Sequence, residues 1–297
     1  MLPGLTLKKE KNGKAFSAHF QAMACDCEVL LECRGRALAV KLSEAVFKEA
    51  KRIETKFSRY LKNNIVYQIN NSTGEAVNVD DESAHLLDFA YMCYQFSDGL
   101  FDISSGILRR VWTFDGSDNV PEQRQINKLL PFIGLDKVSW QPPLLKLPAE
   151  MELDFGGFGK EYAVDCCLAK ALQVCAEVPV LLNFGGDLIC NGPRENQQPW
   201  KVGIESVGGG ASALVTLSGG ALATSGDANR YLMKEGRRYS HILNPLTGSS
   251  VSDAPRSVTV AAESCIEAGL LSTMAMLQGP EAEDFLAAQE VNFWIQD

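Results

Sequence analysis

The chain has 297 residues, 46% of them hydrophobic and 22% charged, and a formal net charge of −9 at neutral pH. That size and apolar fraction suffice for one large or two small globular domains with a sizeable core. Acidic and basic residues interleave along the sequence, which argues against a polyanion-binding surface and so against nucleic acid or an anionic membrane as the main partner. No uninterrupted apolar stretch approaches a membrane span, and the opening MLPGLTLKKEKNGKAF has no apolar run of signal-peptide length, so a cytoplasmic location is expected. The nine cysteines are odd in number and several sit in apolar patterns, which favours reduced thiols. Neither Cys25-x-Cys27 nor Cys166-Cys167 has the paired spacing of a zinc site.

Residues 16–33 alternate well enough for a strand pair or one long bent strand, followed by a turn at Arg34-Gly35-Arg36. Ser43 is the expected cap of the next helix, where Val46, Ala50, Ile53 and Phe57 recur every three or four residues up to Ser58-Arg59-Tyr60. A second helix is expected over 81–97, acidic in its first turn and closed by Gly99.

The segment ELDFGGFGKEYAVD, residues 152–165, is the most informative in the chain: an acidic residue, a glycine-rich bend and a lysine precede an amphipathic helix. Glycines let backbone N–H groups approach an anion, and the helix N-terminus adds a favourable dipole, so the pattern predicts a phosphate site. It is neither GxxxxGK[ST], which would need glycine at Asp154 and Ser or Thr at Glu161, nor GxGxxG, which would need glycine at Tyr162. The helix continues through Leu168 and Leu172, and a short buried strand over 178–183 ends at Gly185-Gly186-Asp187.

The last third reads as strands over 200–205, 213–217, 239–243 and 256–262, separated by Gly, Asn, Pro and Ser clusters that fit an antiparallel sheet. A helix over 264–277, a short one after Pro280 and a strand over 291–295 complete the chain. With no internal repeat or Pro-rich linker, two intimately packed α+β lobes are expected.

Several of these segments, in order, resemble the ApbE-type FAD:protein FMN transferases. They are Met23; Ser58-Arg59-Tyr60; Phe101-Asp102; Asp154 through Lys160; Asn183-Phe184-Gly185-Gly186-Asp187; Ala223-Thr224-Ser225-Gly226-Asp227; Ser240-His241-Ile242-Leu243-Asn244-Pro245 with Thr247-Gly248; and Ala268 through Thr273. Each piece is a turn with a few polar residues, but together they span nearly the whole chain. The resemblance implies a single ApbE-like, T-fold-like domain of largely antiparallel sheets flanked by helices, with an FAD cleft between its lobes.

It also implies a Mg2+-assisted transfer of FMN from FAD to a Thr or Ser hydroxyl of an acceptor protein, with release of AMP, and hence FAD and that acceptor as the partners. By resemblance, Met23 and Tyr60 lie on the flavin side, Leu100, Phe101 and Asp102 form the adenine-side wall, and Asp154 and Lys160 hold the dinucleotide. His241, followed by Ile242, corresponds to the proton acceptor for the incoming hydroxyl; Thr224 and Ser225 are second-rank phosphate contacts. His241 is preferred because His19 and His85 fall in patterns that read as strand and helix surface.

The metal, by resemblance, is held by a backbone carbonyl near Gly157 and by side chains of an A-D-x-x-x-T segment, represented here by Ser272 and Thr273. In this chain that segment reads Ala268-Gly269-Leu270-Leu271-Ser272-Thr273, with Gly269 in the place of the aspartate. A hard cation seeks charged oxygen, so a weakened site is expected unless Glu267 or Glu263 reaches in. Glu161 stands where glycine is common and puts a negative charge beside the expected pyrophosphate. Two other readings stay open: a catalytically weakened FAD-binding carrier or regulator, motivated by Gly269, and an FAD pyrophosphatase in which water replaces the hydroxyl.

Overall fold

The computed structural model describes residues 1–10, 15–228 and 230–297. Residues 11–14, within the opening stretch read above for a leader, lie outside the described residues.

Eight strands form one antiparallel sheet, and each strand lies beside the next one in chain order. They are β1 (Thr6–Lys9), β2 (Phe16–Ala22), β3 (Cys25–Leu31), β4 (Val180–Phe184), β5 (Asp187–Cys190), β6 (Gly220–Gly226), β7 (Ser257–Ala262) and β8 (Asn292–Gln296). Between β3 and β4 the chain leaves the sheet to build most of the helices, then returns in register, with Cys27 opposite Phe184 and Leu31 opposite Val180. Gly185 and Gly186 make the β4–β5 turn with φ of +60° and +99°, a conformation that a side chain would strain. Leu222 pairs with Leu188, so Thr224 extends past the start of β5 and lies beside Asp187.

The helices that position the site are α1 (Arg36–Phe57), α2 (Asp81–Phe96), α3 (Gly159–Val174) and α4 (Cys265–Gln278). The first begins at Arg36 after Gly35, well before the expected cap at Ser43, which is instead buried inside the helix. Ala39 and Leu42 explain the difference: they extend the stripe of Val46, Ala50 and Ile53 backwards, and tertiary burial outweighs a missing cap. Asp80 and Ser264 do cap α2 and α4, each accepting from a backbone N–H three residues on.

One apolar core lies between β2, β3 and β4 and the helices α1 and α3, centred on Phe16, Val29, Leu42, Val46, Val164 and Phe184. A second gathers the end of α1, α2 and the glycine-rich segment around Ile53, Leu87, Phe101, Phe155 and Phe158. Each such fully buried side chain contributes about 1.5–3 kcal/mol relative to exposure. Met23 packs against both cores.

Short ribbons flank this frame: Trp200–Glu205 pairs with Ala211–Leu217, and Tyr231–Lys234 with Arg237–Ser240. The strand expected over 239–243 therefore ends at Ser240. The Asn244 side chain accepts from Leu246 N at 2.9 Å and Thr247 N at 3.3 Å, which closes an Asx turn that replaces strand pairing. The mixed helical and antiparallel architecture is otherwise the expected α+β class. Among the described residues no helix is long and apolar enough to cross a membrane. All nine cysteines are free thiols.

The β2–β3 hairpin turns at Met23 and Ala24, both left-handed with φ of +50° and +58°. An L-residue there costs roughly 1–2 kcal/mol, partly offset in a glycine variant by the freer unfolded chain. Ala24→Gly is expected to stabilise the protein by about 0.5–1 kcal/mol, read from urea unfolding midpoints; an unchanged or lower midpoint would show the turn to be unstrained.

Candidate active site

The glycine-rich segment begins with Asp154, which accepts from Gly156 N at 3.0 Å and so caps a single 3-10 turn, Phe155–Gly157. Its other carboxylate oxygen pairs with Arg59. The Arg59 guanidinium lies 4.9 Å from the centre of the Tyr60 ring and donates to the Tyr60 hydroxyl at 2.8 Å. Tyr60 is 78% exposed, so its other face is open to a planar partner, while Arg59 ties it to the loop. Asp154 and Tyr60, far apart in sequence, thus belong to one cluster.

Phe101 stacks on Phe158, with ring centres 6.1 Å apart and planes at 26°, and a Cβ at Gly157 would come within 3.1 Å of the Phe101 ring. Asp102 is buried and accepts from Ser104 N at 2.7 Å and Leu135 N at 3.2 Å. Burial raises the Asp102 pKa, and these hydrogen bonds partly offset it. Phe101 and Asp102 are therefore fixed in the interior, at the place where an adenine-side wall was expected. Beside them, Leu100 is half-buried and Gly157 exposed.

Lys160 stands in the first turn of α3, and its Nζ lies 2.6 Å from Oδ2 of Asp187, whose side chain is 1% exposed. Burial opposes the ammonium charge, but Asp187 and then Glu161 raise the Lys160 pKa overall, so the lysine is charged across the physiological range. Asp187 Oδ1 also accepts from Thr224 N at 3.1 Å, and the Thr224 hydroxyl lies 2.8 Å from that of Thr259. From the same strand, Ser225 Oγ reaches Ser272 Oγ at 2.9 Å and Thr273 Oγ1 at 2.8 Å. Ser272 is fully buried and donates to the Gly269 carbonyl at 3.0 Å.

Glu161 follows Lys160 and turns toward α4. A Cβ built on Gly269 would lie 2.5 Å from Glu161 Cγ and 3.2 Å from its Oε1, so the two helices meet where glycine leaves room for the glutamate. Glu161 Oε2 is buried without a hydrogen-bond partner. Burial first, and the nearby Asp187 carboxylate second, push the Glu161 carboxyl up to about 8. Glu263 and Glu267, the carboxylates that could have reached toward position 269, are both exposed. Among the described residues no group of three or more His, Cys, Asp and Glu gathers to hold a metal.

His241 follows the ribbon strand Arg237–Ser240. Its Nδ1 lies 3.1 Å from the Arg230 carbonyl, which only accepts, so Nδ1 carries the hydrogen and Nε2 keeps the free lone pair. Burial, and then Arg230, lower the His241 pKa, favouring neutral imidazole. Ile242 packs beside His241 into the core that also holds Phe101 and Phe158. The ribbon is anchored by Arg238, which with Arg256 pairs with Asp227 at the end of β6.

The fold thus joins Lys160 and Thr224 through Asp187, and from the next residue of β6 it joins Ser225 to Ser272 and Thr273. Cys25 adjoins Lys160 across Gly185, which brings the Met23 turn to the same place. Tyr60 and Asp154 form a neighbouring cluster. His241 makes no hydrogen bond to either and is tied to β6 through Asp227. Sequence reasoning missed Arg59 and Asp187 as site residues, although an aspartate straight after a Gly-Gly turn is a recognisable signal for a buried anchor.

The ApbE family pattern matches residues 23–294, and the chain belongs to that family. It is 27% identical over 237 residues to the FAD:protein FMN transferase of Vibrio cholerae serotype O1, covering 77% of this chain and 71% of that protein. To the Escherichia coli K12 protein of the same name it is 31% identical over 196 residues, 62% of this chain and only 56% of that one. Among solved structures it is similar to the ApbE protein of Thermotoga maritima, with 28% identity and a TM-score of 0.86 over 95% of this chain and 94% of that one. It also resembles the apo flavinyl transferase ApbE of Pseudomonas stutzeri, at 25% identity and a TM-score of 0.82 over 98% and 91% of the two chains.

Proposed function

We propose that this protein is an FAD:protein FMN transferase: it cleaves the pyrophosphate of FAD, passes FMN to a Thr or Ser hydroxyl of an acceptor protein and releases AMP. The observation that carries this reading is Lys160, held in the first turn of α3 by a buried Asp187 that also bonds Thr224 on β6. A fixed ammonium beside a glycine-rich loop and a helix N-terminus suits two adjacent phosphates. Family membership and the names of the relatives support the same activity.

In this reading FAD lies in a cleft between the sheet and the helical part. The open face of Tyr60 and the Met23 turn take the flavin, and Leu100 with the Phe101–Phe158 wall takes the adenine. The acceptor hydroxyl oxygen attacks the phosphorus of the FMN half, the bond to the bridging oxygen breaks, and AMP leaves with that oxygen. The hydroxyl proton passes to Nε2 of His241, which is neutral and free to accept it. Lys160 offsets charge on the phosphate oxygens.

The surroundings of Gly269 fit a hard divalent cation such as Mg2+, since Thr273 offers a hydroxyl and Glu161 Oε2 is a buried oxygen without a partner. Thr273 and a backbone carbonyl near Gly157 would help to hold it. Such an ion, when bound, neutralises phosphate charge and favours departure of AMP.

The test is to incubate the protein with FAD, Mg2+ and a Thr-bearing acceptor, then measure in-gel flavin fluorescence and AMP release. AMP without a fluorescent acceptor would indicate the pyrophosphatase, and FAD bound without AMP the carrier. With His241 neutral as the working form, transfer is expected to hold down to pH values below its ordinary pKa of about 6.5 and to fall only beneath that. His241→Gln is expected to slow transfer by about 10²–10⁴-fold and to flatten that acid limb. An unchanged limb would assign the proton to another group.

A further inference from the structure

The junction of α3 and α4 holds a carboxylate that the packing leaves unused. Glu161 Oε2 is buried and accepts no hydrogen bond, and the charged groups that act on it are the Asp187 carboxylate and the Lys160 ammonium. Lys160, the nearest cation, points to Asp187 instead. The hydroxyls of this part of α4 are already engaged: Ser272 donates to Gly269 O, and Ser225 lies between Ser272 and Thr273. A buried carboxyl oxygen without a hydrogen-bond partner is costly, and with the Asp187 carboxylate as a neighbour a divalent cation would relieve both burial and like-charge repulsion.

The steric relation to Gly269 shows where the partner would sit. Any side chain at position 269 would occupy the volume now held by Glu161, from its Cγ at 2.5 Å to its Oε1 at 3.2 Å. Gly269 also precedes Thr273 by one helical turn on α4, so the two positions lie on one face about 5–6 Å apart. The Glu161 carboxylate is therefore delivered from α3 to the place that a short acidic side chain on α4 would reach, one helical turn before Thr273. This also accounts for the two sequence departures together: the acidic residue is absent at Gly269 and present at Glu161.

We propose that Glu161 is the carboxylate ligand of the divalent cation used in flavin transfer, with carboxylate and glycine exchanged between positions 161 and 269. The inference rests on the proposed flavin reading, and it replaces the expectation of a weakened metal site. It further implies that Gly269→Asp alone brings two side chains into one space, so that this substitution harms the protein unless Glu161 is reduced to glycine at the same time.

The experiment reads cation binding directly. Mn2+ is titrated into the purified protein with saturating FAD and followed by electron paramagnetic resonance of free Mn2+, while FAD affinity is measured separately in EDTA by flavin fluorescence. Glu161→Gln is expected to weaken Mn2+ on the order of tenfold or more, with FAD affinity in EDTA unchanged. Glu161→Gly/Gly269→Asp is expected to bind Mn2+ within a few-fold of the parent, and Gly269→Asp alone to lower the melting temperature.

Unchanged Mn2+ affinity in Glu161→Gln overturns the assignment, as does a folded double variant that binds no better than Glu161→Gln. A parent that binds FAD but no Mn2+ overturns it as well. A parent that fails to bind FAD in EDTA is a failure of the flavin reading itself, so the two are told apart.

Discussion

Lys160→Met is expected to lower unfolding free energy by about 3–5 kcal/mol and to weaken FAD binding or transfer by at least about 1.5–3 kcal/mol. The stability loss arises because the Asp187 carboxylate, 1% exposed, would lose the ammonium 2.6 Å away. Removing one member of such a pair exposes the full desolvation penalty of the other. Adding Asp187→Asn removes the stranded charge, so the double variant is expected to regain most of the lost stability. It would not regain the phosphate contact, and its FAD affinity should stay about 1.5–3 kcal/mol weaker than the parent. Urea unfolding and fluorescence titration with FAD separate the two effects. Parent-like FAD affinity in the double variant would make Lys160 a structural residue only.

Asp227→Ala is expected to be comparably damaging, at about 3–5 kcal/mol, because one buried carboxylate serves two arginines from different parts of the chain. Asp227 accepts from Arg238 at 2.7 and 3.0 Å and from Arg256 at 2.8 Å, and its side chain is 6% exposed. Arg238 also sits 3.3 Å from the centre of the Tyr231 ring, so this anion ties the ribbon leading to His241 to the end of β6, beside the apolar packing of Leu232. Hydrogen exchange should show faster exchange in Tyr231–Lys234 and Arg237–Ser240 than in β6 or β7. Equal protection of ribbon and sheet, or a midpoint shift below that of an ordinary surface substitution, would show the ribbon to be held by its own pairing.

The two variants probe different layers of the same region. Lys160 and Asp187 join the glycine-rich loop to the sheet, whereas Asp227 joins the sheet to the ribbon that presents His241. Both anchors are buried aspartates at strand ends, where β5 begins and just after β6 finishes. Strand ends are where the regular ladder stops and side chains must complete the bonding, so a buried anion there fixes a loop geometry that backbone pairing does not reach.

Much of the local architecture was legible in the sequence. Short-range chemistry decides such features: Ser264 caps α4, Gly185 and Gly186 make the β4–β5 turn, and α3 follows the glycine-rich bend. The exceptions have tertiary causes. Burial of Ala39 and Leu42 extended α1 back past Ser43, and the Asx turn of Asn244 ended the ribbon strand at Ser240. Family motifs marked Met23, Tyr60, Asp154, Lys160 and His241 without saying how they connect, and two segments read as turns, residues 223–226 and 268–273, lie instead in β6 and α4.

Those connections were decided only by the folded chain. Arg59 joins Asp154, Lys160 joins Asp187, Ser225 on β6 meets Ser272 and Thr273 on α4, and Glu161 fills the space above Gly269. Residue periodicity and turn preference act over a few neighbours and are written into each segment. Which buried oxygen faces which cation depends instead on the crossing of helices and the register of strands far apart in sequence. A glycine and a glutamate therefore read separately as two defects, and only the contact between α3 and α4 makes them one complementary pair.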